Sequence, residues 1–168
     1  MRITEKYIIM CEKAEELQTL WIPKIGDWYI PKIYLQDYQN YSELQMAIFI
    51  ICNAETLEKI RQNKKDYIWL PRLDQLLHII TELYNKKGNS YNTFQMLDEI
   101  FNEAVENYDW CFWDLDPSWE YQLYTSAEEA LLVYLMFKMH NKVWVHEKNN
   151  WYRVENLEMD KKSRKMDC

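Results

Sequence analysis

The chain has 168 residues, of which 48% are hydrophobic and 15% aromatic, so it can fold around one core and is not a disordered chain. Its 20 basic and 27 acidic side chains give a net charge of -7, which repels phosphate backbones and weighs against direct nucleic-acid binding. The composition therefore favours a compact protein whose partner is neutral or basic.

The cysteine and hydropathy patterns indicate the compartment. The four cysteines lie far apart without a CxxC pair, which is atypical of a zinc knuckle or a dense disulfide scaffold, so we expect reduced thiols. Residues 1–16 contain no apolar signal-peptide core, and the longest unbroken apolar run, residues 130–137, is too short to span a bilayer. We therefore expect a cytoplasmic protein without membrane contact.

The first part of the chain alternates helical and strand patterns. Apolar residues at helical spacing predict a helix over 4–20, with Thr4 as its N-cap. Aromatic and β-branched runs predict strands near residues 28, 48 and 68. Residues 54–65 are expected to form a short helix or a turn.

A second helix is predicted from Pro71, which suits the first helical position because its missing N–H costs nothing there. Asp74 complements the helix dipole, and Arg72 is expected to pair with Asp74 or Asp27. The predicted buried stripe comprises Leu73, Leu76, Leu77, Ile80, Leu83 and Tyr84. These roles indicate that residues 71–75 form the structural connection between the third predicted strand and this helix, and they disfavour a catalytic cluster there.

Two further helices and a hairpin complete the expected fold. Helical patterns cover 94–108 and 126–139, and the second of these is apolar nearly all round, so it is either central or an interface. A homo-oligomer through residues 127–139 is one consequence. Residues 142–155 read as a hairpin. We therefore predict a single α+β domain over 1–160, with about four helices packed on a small antiparallel sheet, and a frayed charged tail over 161–168.

Cofactor and metal sites lack the residues that they need. Gly26 and Gly88 are the only glycines, so neither a P-loop nor a dinucleotide fingerprint is present. His78, His140 and His146 have neither HExxH nor i,i+4 ligand spacing. We therefore expect no cofactor and no metal, and we favour a protein without enzymatic activity. A carboxylate-dependent hydrolase stays open, because two of the 27 acidic side chains can meet in space without a sequence signature.

Residues 108–124, YDWCFWDLDPSWEYQLY, interleave aromatic rings with carboxylates. Trp and Tyr anchor many interface hot spots, and surrounding carboxylates steer a basic partner. The segment therefore predicts an acidic, aromatic surface for a partner protein. The predicted contact residues are Trp110, Trp113, Asp114, Asp116, Trp119, Glu120 and Tyr121. The alternative is a loop whose rings fill the edge of the core.

Several motifs resemble a known group of proteins. They are MCEKAEELQ (10–18), GDWY (26–29), DYIWLPRLDQL (66–76), TSAEEALLVYLMF (125–137) and WVHEKNNWYRVE (144–155). In style and order they resemble the small uncharacterised proteins encoded by phages and prophages of low-GC Gram-positive bacteria. The resemblance spans most of the chain, is weakest over 30–65 and 108–124, and brings no catalytic residues with it.

The resemblance implies an accessory role during infection, in the cytoplasm of the host cell. Our leading hypothesis is a non-enzymatic binder that inhibits a host system, such as a CRISPR nuclease, by covering a basic surface of a host protein with its acidic face. The first alternative is a module that sequesters a nucleotide-like ligand with its aromatic rings. The second is the carboxylate hydrolase.

Overall fold

The computed structural model describes residues 3–37, 46–86, 98 and 126–155. These residues form six α-helices and five strands, which confirms the predicted mixed helix and sheet fold. The strands lie close to the predicted positions, but they form two antiparallel sheets, one of three strands and one of two.

The predicted helix over 4–20 is two helices, α1 (Glu5–Lys13) and α2 (Glu15–Leu20), separated at Ala14 by a non-helical ψ of 66°. Thr4 is the predicted N-cap, because its hydroxyl accepts a 3.0 Å hydrogen bond from the N–H of Tyr7. Beyond the break, the side-chain amide of Gln18 donates to the carbonyl of Cys11 at 2.9 Å and to that of Trp69 at 3.0 Å. A tertiary hydrogen bond therefore satisfies a carbonyl near the end of α1.

The three-stranded sheet has the order β2-β1-β3, with β1 at Trp28–Pro31, β2 at Phe49–Ile50 and β3 at Tyr67–Trp69. Ile30 lies opposite Ile68, and both side chains are fully buried. Successive side chains of a strand point to opposite faces, so the residues next to Ile30 and Ile68 in sequence lie on the other face of the sheet, and these are aromatic or proline. The residues of that aromatic face are Tyr29, Phe49, Tyr67 and Trp69.

Three short elements surround this sheet: α3 (Ile33–Asp37), α4 (Ala54–Gln62) and a 3₁₀ turn (Lys64–Asp66). Asn53 caps α4, since its side-chain oxygen accepts a 2.8 Å hydrogen bond from the N–H of Thr56. The expected short helix over 54–65 is therefore present, and it ends before the 3₁₀ turn.

The hairpin prediction is confirmed by β4 (Lys142–Val145) and β5 (Asn150–Arg153). Trp144 and Trp151 are register partners, and their rings meet edge to face with centroids 5.1 Å apart. The indole N–H of Trp151 donates to the carbonyl of Met10 at 3.0 Å. The hairpin is therefore anchored on α1.

The helix predicted from Pro71 begins two residues later, as α5 (Leu73–Lys86). The Pro71 carbonyl accepts a 2.6 Å hydrogen bond from the hydroxyl of Tyr7, and the Arg72 guanidinium donates to the carbonyl of Gly26. Leu73 is 38% exposed, so its assignment to the buried stripe was wrong, whereas Leu76 and Ile80 are fully buried. The stripe therefore becomes core only from the second turn onward.

Helix α6 (Ala127–His140) follows Ser126, whose hydroxyl accepts a 3.2 Å hydrogen bond from the N–H of Glu129, as the side chain of an N-cap residue does. Residues 131–136 are all buried within one chain, which fits a helix that is apolar nearly all round. A hydroxyl–hydroxyl hydrogen bond joins Tyr134 of α6 to Tyr84 of α5. The homo-oligomer through residues 127–139 stays a prediction.

The chain divides into two compact units, one from the N-terminal part to Arg72 together with the part from Met136 onward, the other from Leu73 to Leu135. The single domain over 1–160 stays a prediction. The helix predicted over 94–108, apart from Asp98, and the tail over 161–168 lie outside the described residues. Among the helices that the structure describes, none combines the length and apolar character needed to cross a bilayer.

Candidate functional site

The contact residues predicted from the sequence cannot be placed. The whole acidic, aromatic segment over 108–124 lies outside the described residues, so the predicted partner surface stays a prediction. The set concerned is Trp110, Trp113, Asp114, Asp116, Trp119, Glu120 and Tyr121. The candidate site that the structure does offer lies in the first unit.

That site is a pocket of about 210 Å³ on the aromatic face of the three-stranded sheet. Its walls come from all three strands and from α3 and α4. The lining residues are Tyr29, Pro31, Tyr34, Phe49, Thr56, Lys59, Ile60 and Tyr67. We call this cavity the aromatic pocket.

Four of these residues form a continuous chain of rings. The ring of Tyr34 lies 6.1 Å from that of Phe49, measured between centroids, and Phe49 lies 5.8 Å from Tyr29. Tyr29 in turn meets Tyr67 edge to face at 5.5 Å. These separations and tilted or edge-on arrangements fall in the range that aromatic pairs prefer. The pocket is therefore bordered by an extended aromatic surface.

The local sequence explains how the strands and α3 place the rings. Alternation along β1 sends Tyr29 and Pro31 to the same face of the sheet. The next residue, Lys32, donates its N–H to the carbonyl of Asp66 at 2.9 Å and accepts from the N–H of Leu35 at 2.9 Å. These two bonds hold the turn into α3, which brings Tyr34 to the pocket.

Helix α4 supplies the polar part of the wall. Thr56, Lys59 and Ile60 are spaced i, i+3 and i+4, which places them on one face of the helix. Ile60 is buried and anchors the helix, while Lys59 is exposed. The N-cap Asn53 fixes the start of α4 one turn before these pocket residues. Polar groups therefore lie opposite an apolar, aromatic surface.

The hydrogen-bonding capacity of the wall is largely unused. Within the described ranges, the hydroxyls of Tyr29, Tyr34 and Tyr67 donate to no other residue, and the Lys59 ammonium has neither a carboxylate nor a carbonyl partner. Burial raises the pKa of Tyr29, and the neighbouring Tyr67 and Cys52 raise it further. The Tyr29 phenol therefore stays protonated and can donate a hydrogen bond.

The segment that contains α4 differs in the sign of its charge from the whole chain. Residues 54–66 carry four basic side chains, Lys59, Arg61, Lys64 and Lys65, and three acidic ones, Glu55, Glu58 and Asp66. The local balance is thus slightly positive, while the chain has a net charge of -7. Lys59 is the charged member of the described lining.

A second polar cluster lies in the same unit, where Lys142 at the start of β4 donates to the carboxylate of Glu16. Burial raises the pKa of Glu16, but the hydrogen bond from Lys142 and the nearby imidazole of His140 contribute to a net lowering. Glu16 Oε2 and His140 Nε2 are buried and have no hydrogen-bond partner in the described part of the chain. This cluster is already ion-paired, so we assign it to stability.

The aromatic pocket is not among the features that the sequence predicts. Its rings come from four different elements, and only the alternation within β1 and β3 hints at a shared face. His78, one of the three histidines considered as metal ligands, is exposed on α5. Over the ranges described, no three His, Cys, Asp or Glu side chains form a group that could hold a metal ion.

Comparisons with protein families, curated proteins and solved structures find no significant match for this chain. The function must therefore be argued from the geometry.

Proposed function

We propose that the protein is a non-enzymatic binder that inhibits a host system by contacting a protein of that system, such as a CRISPR nuclease. The observation that supports this proposal is the exposure of large apolar side chains around β2. The resemblance of the sequence motifs to phage proteins indicates the biological context. The negative net charge of the chain favours a partner with a basic surface.

Strand β2 is the outer strand of the described three-stranded sheet, and both of its residues are exposed. Phe49 is 39% exposed on the aromatic face, and Ile50 is 51% exposed on the opposite face. Met46, three residues before Phe49, is 76% exposed. We call Met46, Phe49 and Ile50 the β2 surface. Large apolar side chains that stay exposed on both faces of an outer strand favour a site of protein association there.

Charge complementarity favours a basic partner. A net charge of -7 attracts a positively charged surface over several ångströms and raises the rate of encounter, while apolar anchors then slow dissociation. Proteins that bind nucleic acids, including nucleases, carry such basic surfaces. The carboxylates of the segment over 108–124 would also attract a basic partner.

The test is a cleavage assay with purified CRISPR nucleases from low-GC Gram-positive bacteria, titrated with this protein. We expect inhibition that saturates at a fixed ratio and weakens as salt rises. Ile50→Lys should weaken inhibition about tenfold or more, which corresponds to about 1.4 kcal/mol, because it places a charge in the contact. Leu73→Lys is the control, since Leu73 is also an exposed, large aliphatic residue but lies in the other unit.

Two results would contradict the proposal. In the first, none of the nucleases is inhibited and none binds in a direct association measurement. In the second, Ile50→Lys and Leu73→Lys inhibit as strongly as the original protein, so that the β2 surface carries no binding energy.

A further inference from the structure

We infer that the aromatic pocket binds a planar aromatic ligand that carries one anionic group, with the ring held against Tyr34 and Phe49 and the anion paired with Lys59. This inference goes beyond the proposed contact with a host protein and gives the ligand-sequestering alternative a site and a ligand class. The aromatic pocket shares Phe49 with the β2 surface, but Lys59 and Tyr34 belong to the pocket alone and Ile50 to the β2 surface alone, so the two proposals can fail separately.

The first step of the argument is the exposed ring surface. Tyr34 is 46% exposed and Phe49 is 39% exposed, although the two rings contact each other. Exposure of aromatic surface to water is unfavourable. A planar ligand stacked on Tyr34 and Phe49 would remove from solvent both the exposed area of these rings and the stacked area of the ligand. Base–aromatic stacking is tolerant of the identity of the base because every base has a π face.

The second step is size. Pockets for drug-sized ligands typically measure roughly 300 to 1,000 Å³, whereas the aromatic pocket measures about 210 Å³. It therefore fits one ring system with a short substituent rather than a folded peptide or a dinucleotide.

The third step is the polar wall. Lys59 has no ion-pair partner among the described residues, and it shares a helical face with the hydroxyl of Thr56. The protonated phenol of Tyr29 adds a donor. The described lining contains no carboxylate that would repel an anion. A carboxylate or phosphate with one or two charges matches these donors.

The fourth step limits the charge of the ligand. The one cation in the described lining, Lys59, can offset a single anionic group, but the net charge of -7 opposes a triphosphate. The shared chemistry is thus a ring with one anionic group, and both a nucleoside monophosphate and an aromatic carboxylate satisfy it.

The experiment is isothermal titration of the full chain with AMP and with indole-3-acetate, which represent the two sources. Adenosine and ribose 5-phosphate are the matched partial ligands, since the first lacks the anion and the second lacks the ring. We expect one of the two complete ligands to bind, with adenosine about tenfold weaker than AMP or indole weaker than indole-3-acetate to the same degree. Ribose 5-phosphate should show no measurable binding.

Variants locate the two contacts. Lys59→Gln should remove the preference for the anionic ligand while leaving the binding of its uncharged counterpart unchanged, and Phe49→Ala should weaken both about tenfold. Lys65→Gln is the matched control, because Lys65 is an exposed lysine outside the pocket. Thermal melts establish that each variant is folded, and amide shifts in NMR spectra should change at residues 29–34 and 54–60.

Each remaining outcome overturns part or all of the inference. Absence of heat and of amide shifts with both AMP and indole-3-acetate at millimolar concentration would exclude the site. Equal binding of ribose 5-phosphate would exclude stacking, and an unchanged ligand preference in Lys59→Gln would exclude the assigned anion contact.

Discussion

The indole N–H of Trp21 donates a 2.8 Å hydrogen bond to the carboxylate of Asp27, and both side chains are buried. The same carboxylate oxygen accepts the N–H of Lys24 at 2.9 Å, so it holds the turn that precedes β1. The Trp21 ring also stacks on Trp69 of β3, with the planes 3° apart. This pair therefore ties the end of α2 to the sheet that carries the aromatic pocket.

Removing the Asp27 carboxylate should destabilise the protein strongly. We expect Asp27→Ala to lower the free energy of unfolding by about 2 to 3 kcal/mol, because the buried indole N–H of Trp21 and the partly buried N–H of Lys24 both lose their acceptor. Trp21→Phe removes the indole donor, and the double variant should show a coupling energy of about 1 kcal/mol. Urea unfolding measures all three. The control Asp66→Ala, at an exposed position, should stay within about 0.5 kcal/mol, and additive effects of the two core variants would disprove the coupling.

The turn before β1 requires a residue that tolerates a positive φ. Gly26 has a φ of 91°, so Gly26→Ala should cost about 1 to 2 kcal/mol even though a Cβ there meets no atom within 4 Å. Asn141, with a φ of 53°, is the matched comparison, and Asn141→Gly should be neutral within about 0.5 kcal/mol. Equal melting temperatures for Gly26→Ala and the original protein would contradict this account.

Helix α5 offers a comparison between two leucines three residues apart. Leu76 is fully buried and Leu73 is 38% exposed. We expect Leu76→Ala to cost about 2 to 5 kcal/mol through lost transfer energy and the cavity that remains, and Leu73→Ala to cost less than about 1 kcal/mol. Chemical denaturation of the two variants should reproduce this order, and a larger cost at Leu73 would mean that the stripe begins at the first turn.

Stability should decrease in acid partly through Glu16. Its folded pKa lies below the ordinary value of 4.5, so its contribution is present above that value and is lost as the pH falls through the folded pKa. Glu16→Gln should therefore be less stable at neutral pH by up to about 1 kcal/mol, and the gap should close in acid. Urea unfolding at about pH 7 and about pH 3 measures it, with Glu55→Gln as the exposed control. A gap that is independent of pH would exclude the electrostatic explanation.

The positions of the strands could be predicted from the sequence because aromatic and β-branched runs at residues 28–30, 67–69 and 142–145 carry the signal locally. The break at Ala14 could not, because helical propensity and periodicity continue through it. It is accompanied by the contacts of Gln18 with Cys11 and Trp69, and the second of these spans 51 residues of sequence. Tertiary contacts of this length have no local pattern.

The pairing of the strands could not be predicted from the sequence either. Five strands were expected in one sheet, but nothing in a strand's own residues specifies which partner it takes, and the hairpin pairs with itself as a separate sheet. The aromatic pocket could not be predicted for a similar reason. Tyr34 and Phe49 are 15 positions apart in sequence and meet only after α3 and β2 have packed.

The side chain of Gln18 makes three hydrogen bonds, and the two with Trp69 limit how the sheet can grow. The Trp69 N–H donates to the Gln18 side-chain oxygen at 2.8 Å, and the Trp69 carbonyl accepts from the Gln18 side-chain nitrogen at 3.0 Å. One side-chain amide thus takes the place that a peptide group of another strand would occupy beside β3. That border of the sheet is closed to strand addition, a common protection against unwanted assembly. Within the described sheet, an extended segment from another molecule would therefore add beside Phe49 and Ile50, and not beside Trp69.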